Sequence, residues 1–128
     1  MRGTPNRFLG TLLTGVAVAA VTACGSGGED KEACRKIIST MDAVQVRHST
    51  ARGDIRSVIQ AYEKASLEIV AEGQKARGDI EAAADEVAAA YGDVAAGLRR
   101  MNTGDLDGAP DLTAITRART KLRTACPA

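Results

Sequence analysis

Chemistry in a protein starts from nucleophiles, imidazoles, paired carboxylates and thiols, and this chain of 128 residues holds few of them in workable patterns. His48 is the only histidine. With no cysteine or carboxylate cluster beside it, it makes no metal site, because tetrahedral centres need several N, S or O ligands at short spacing. Asp105, Asp107 and Asp111 crowd one stretch, and Asp105-Leu106-Asp107-Gly108 has the opening of a calcium loop. Ala109 and Pro110 then stand where further oxygen ligands and the turn glycine belong, and Thr116 stands at the twelfth place. Helix caps and turns explain these aspartates better. Glu81 and Asp85 lie one helical turn apart, yet no Glu-x-x-His partner exists for a di-metal bundle site. Ser39, Ser49, Ser57 and Ser66 lack a nucleophile-elbow context, and no glycine-rich phosphate loop is present. No catalytic residue, metal site or cofactor is therefore expected. Arg52-Gly53-Asp54 and Arg77-Gly78-Asp79 spell an adhesion tripeptide twice, but turn chemistry accounts for both copies.

The three cysteines, Cys24, Cys34 and Cys126, are the remaining reactive groups. Ahead of the first, Arg2 and Arg7 precede an apolar run from Phe8 to Val21, the layout of an export signal. Fourteen residues of helix reach about 21 Å, short of a hydrocarbon core of about 30 Å, so a permanent span is the weaker reading. Val21-Thr22-Ala23-Cys24 follows directly. This resembles the lipobox of bacterial lipoproteins, with Val21 where leucine is commoner. The resemblance covers roughly the first 24 residues and implies a diacylglyceryl thioether, with palmitate-type chains, on Cys24 and cleavage after Ala23. Plain secretion would cut the same bond and leave no lipid. On the lipobox reading, residues 1–23 are a signal peptide, 24–29 a lipid anchor and flexible linker containing Gly25, Ser26, Gly27 and Gly28, and 30–128 the folded domain.

An odd cysteine count in an exported chain calls for an explanation, and lipid on Cys24 leaves an even pair. Cys34 and Cys126 should join in an oxidising exterior. Such a bridge closes a loop of about 92 residues, worth roughly 4 to 5 kcal/mol in the chain-entropy model. Two buried free thiols are the alternative.

What positions these groups is helical. Cys34, Ile37, Ile38, Met41, Val44, Gln45 and His48 fall at helical spacing and predict a first helix over about 30–50. A 4-3 rhythm follows through Ile55, Ile59, Tyr62, Ser66 and Ile69, then Ile80, Val87, Val94 and Met101. Ala51-Arg52-Gly53-Asp54-Ile55 recurs 25 residues later as Ala76-Arg77-Gly78-Asp79-Ile80, and Gly104-Asp105-Leu106 follows 26 residues after that. Glycine suits the position past a helix end and aspartate the N-cap of the next helix, so each copy predicts a break. Asp111 caps a last helix with the stripe Leu112, Ile115, Ala118, Leu122 and Ala125. The expected fold is an all-α, up-down-up-down four-helix bundle, with a three-helix arrangement fusing two segments as the runner-up. That topology brings Cys34 and Cys126 to one end.

Charge divides by helix. Asp79, Glu81, Asp85, Glu86 and Asp93 make the third helix acidic, while Arg117, Arg119, Lys121 and Arg123 make the fourth basic. The two helices are expected to pair across their edges, with Arg119, Lys121 and Arg123 as candidate contacts for anionic lipid head groups. A net charge of +1 lacks the footprint of a nucleic-acid binder. The functional expectation is a non-enzymatic protein held by Cys24 at the extracytoplasmic face of the cell membrane, resembling small helical lipoproteins of high-GC Gram-positive bacteria. It would act as a binding or spacing module toward an unidentified protein or envelope partner. The alternative is a carrier of an apolar ligand, which needs a lined cavity.

Overall fold

The computed structural model describes residues 9–127, with side chains from 28 to 127. The signal segment and the lipobox, including Cys24, therefore lie outside the described side chains. The chain is all-α. Helix α1 spans Leu9–Thr50, α2 Ile55–Ala76, α3 Gly78–Asn102 and α4 Leu112–Ala125, with a 3-10 turn at Leu106–Gly108 before α4. Among the described residues, no helix is long and apolar enough to cross a membrane.

Most of the apolar stripe positions are buried as their spacing predicts. Ile37, Met41, Ile69, Val87, Val94 and Leu122 are almost wholly buried, one row from each helix meeting in one aliphatic core. Tyr62 and Tyr91, the two aromatic residues of this body, sit inside it with ring centroids 5.2 Å apart, edge to face. Successive helices pack on one another, α1 on α2, α2 on α3 and α3 on α4. Small residues bring α2 and α3 together: a Cβ added to Gly73 would lie 2.6 Å from the Ala84 Cβ. The 3-10 turn is likewise pressed onto α3, where a Cβ on Gly97 would fall 2.7 Å from the Gly108 carbonyl oxygen.

The repeated Gly-Asp steps separate into two mechanisms. At the first, Gly53 takes φ +92° and the Asp54 carboxylate accepts the Ser57 N–H at 3.3 Å, capping α2 as expected. The second break is real, but Asp79 does not cap it. Arg77 alone separates α2 from α3 and takes φ +63°, with no side-chain cap bond, and Asp79 falls inside the first turn of α3. The reason is room. Ala51 to Asp54 leaves four residues in which the chain reverses, whereas the close approach at Gly73 lets one residue link α2 to α3. Asp105 caps the 3-10 turn by accepting the Asp107 N–H at 3.1 Å, and Asp111 caps α4 by accepting the Thr113 N–H at 2.9 Å.

Candidate functional site

Cys34 at the buried side of α1 and Cys126 just past the end of α4 form a disulfide, with Cα atoms 5.9 Å apart. The bridge ties two helices that otherwise stand apart. Within their helical bounds, α1 and α4 make no close backbone approach among the described residues. Side chains span this seam instead. Arg119 donates to the Gln45 side-chain carbonyl at 2.9 Å and pairs with Asp42 at 3.5 Å, while Arg123 lies 4.0 Å from the same Asp42 carboxylate.

The three basic residues thus meet acids of the protein itself. Lys121 pairs with Glu86 on α3 at 3.0 Å, the one ion pair among the described residues that joins the acidic third helix to the basic fourth. Asp42, on α1, takes the other two. The expected α3–α4 charge zipper is reduced to a single pair because α4 has two neighbouring edges, and Arg119 and Arg123 project over the α1 side. Lys121 and Arg123 remain more than half exposed, whereas the Arg119 side chain is only 22% exposed. Such exposed pairs contribute about 0.2 to 1 kcal/mol each.

Toward the α4 N-terminus the seam opens into a cavity of about 310 Å³. Gln45 and His48 on α1 face Leu112, Thr116 and Arg119 on α4 across it, with Tyr62 beneath. Sequence spacing placed Gln45, His48 and Leu112 on the buried stripes. All three are exposed, because α1 and α4 make no close backbone approach and their side chains border a cavity here instead of packing on one another. The His48 ring stands edge-on to Tyr62, with Nδ1 2.8 Å from the Tyr62 hydroxyl. Burial pushes the Tyr62 hydroxyl pKa above its ordinary value, opposed by the Arg119 charge. Tyr91, deeper in the core, is pushed up to about 12, chiefly by burial, with Arg119 again working against it. Both phenols therefore stay protonated at neutral pH, as donors rather than anions.

The aspartates assigned to caps keep that role. The Thr113 hydroxyl and N–H hold the fully exposed Asp111 carboxyl below its usual range. Among the described residues, no three His, Cys, Asp or Glu side chains gather as a metal site. Missed from the sequence was the chain of contacts from His48 through Tyr62 to Tyr91. Its signal was present, since Tyr91 falls four residues after Val87 and three before Val94 on the third stripe. Compared with protein-family models, with characterised proteins and with solved structures, the chain matches none.

Proposed function

We propose that this protein is a bacterial lipoprotein, a non-enzymatic helical module anchored through Cys24 at the extracytoplasmic face of the cell membrane. The observation that carries the reading is the Cys34–Cys126 bridge. Disulfides persist in oxidising compartments, and this one uses two of three cysteines. The cysteine left over is the one at the lipobox-like Val21-Thr22-Ala23-Cys24, where a lipid would consume it. Two acyl chains on one residue anchor stably, whereas a single chain would not.

The folded body is an up-down-up-down bundle in this reading, with the Cys34–Cys126 end beside the anchor and the loop from Asn102 to Pro110 facing away. Arg119, Lys121 and Arg123 then lie within reach of anionic head groups, although Asp42 and Glu86 pair with them and offset two of the three positive charges. That balance favours a body that spaces or presents a binding surface over one that clings flat to lipid. An apolar-ligand carrier is the second reading. The aliphatic core, closed around Ile37, Met41, Ile69 and Leu122, speaks for surface binding instead.

Fractionation of the native host cells tests the anchor. The protein is expected in the membrane fraction with the mass of residues 24–128 plus a diacylglyceryl group, and Cys24→Ala is expected to move it to the medium or leave the precursor uncut. A mature mass with no acyl addition would reject the anchor. Crosslinking in those cells then identifies the partner.

A further inference from the structure

We infer that the cavity at the open end of the α1–α4 seam is a binding site for a small monocarboxylate with a compact apolar body. The inference concerns the folded domain alone and goes beyond the proposed anchoring, since it holds whether or not Cys24 carries lipid. The first argument is charge. This cavity has no carboxylate in its lining, whereas four others along the described helices carry Glu68, Glu72 or Glu86 among their walls. Arg119 supplies the cation. Asp42 shares its charge with both Arg119 and Arg123, which leaves the pair of guanidiniums one positive charge in excess. One guanidinium with spare N–H donors matches one carboxylate, and no second fixed cation lines the cavity to match a dianion.

The second argument is the arrangement of the remaining walls. When the Tyr62 hydroxyl donates to His48 Nδ1, the neutral imidazole carries its proton on Nε2 as a further donor. Thr116 adds a hydroxyl from α4. Leu112, 50% exposed, and Ile115 add apolar surface from the same helix. A lining that combines an exposed leucine, a tyrosine and a guanidinium suits an anion with an apolar body better than an inorganic ion. The volume, about 310 Å³, takes a single aromatic ring with its acid group.

Titration of the full chain in mild detergent with sodium benzoate, followed by calorimetry and amide chemical shifts, tests the site. Benzoate should bind in the millimolar range and shift amides of residues 45–49 and 112–119. Its neutral counterpart benzamide should bind at least tenfold more weakly, and acetate, which lacks the ring, should also be weaker. Arg119→Gln should reduce benzoate affinity tenfold or more, while Lys121→Gln, on the same helix but paired with Glu86 and outside the cavity, should leave it within twofold. Should Arg119→Gln lose its helical circular dichroism, Leu112→Glu replaces it. That change puts an acid on an exposed wall position and should abolish benzoate binding. Equal affinity for benzoate and benzamide, no detectable binding of either, or unaltered benzoate binding in Leu112→Glu would overturn the proposal.

Discussion

At the scale of single residues, the absence of a side chain permits a close helix contact. Gly73 and Ala84 stand where two helix backbones approach, and a methyl at Gly73 would sit 2.6 Å from the Ala84 Cβ with no flexible side chain able to yield. Gly92 is also mid-helix, yet a Cβ there meets nothing within 4 Å. The same substitution should therefore act with opposite sign. Gly92→Ala should stabilise the protein by about 0.5 to 1 kcal/mol through the lower entropy cost of ordering alanine. Gly73→Ala gains that term too but must part α2 and α3, and overpacking of this kind costs about 1 to 3 kcal/mol, so a net loss is expected. Urea unfolding of the two variants measures both, and equal shifts would count against the close approach.

Elements begin and end in this chain by local chemistry that tertiary packing can override. Asp54 and Asp79 occupy equivalent places in the 25-residue repeat, but only Asp54 accepts a backbone N–H at a helix start. Asp54→Ala should cost about 1 kcal/mol, the usual worth of an N-cap, while Asp79→Ala should cost a few tenths through the helix dipole alone. Thermal unfolding followed by circular dichroism separates them. Arg77 between α2 and α3 has φ +63° and ψ −178°, a conformation natural to glycine and worth about 1 to 3 kcal/mol of strain in other residues. Ile80 and Ala84, buried on the far side of that break, hold α3 in place and sustain the strain.

For the whole molecule, the weak seam is the one between α1 and α4. Three helix pairs interlock through apolar stripes, but this fourth seam is closed by the Cys34–Cys126 bridge and by Arg119 and Arg123 reaching Asp42 and Gln45. Cys126→Ser should lower stability by about 2 to 5 kcal/mol, the usual worth of a native bridge in a small domain. The loss should be local in kind: amide exchange in α4, Leu112–Ala125, should accelerate more than in α2 or α3. Uniform acceleration across all four helices would show that the seam is not the weak point.

The sequence by itself pointed to four helices with breaks near Gly53 and Gly78, to the buried rows from Ile37 to Leu122 and to the pairing of Cys34 with Cys126, while a fusion of two helices and two free thiols stayed open until the structure closed them. These follow from period, caps and cysteine count, which are local or arithmetical properties of a chain. Only the tertiary structure decided that Asp79 lies inside α3, that Asp42 rather than the acidic helix takes Arg119 and Arg123, and that Gln45, His48 and Leu112 face a cavity instead of the core. Periodicity says which residues share a helix face but not how far the neighbouring helix stands from it, and along the α1–α4 seam that distance turns a buried stripe into an open wall.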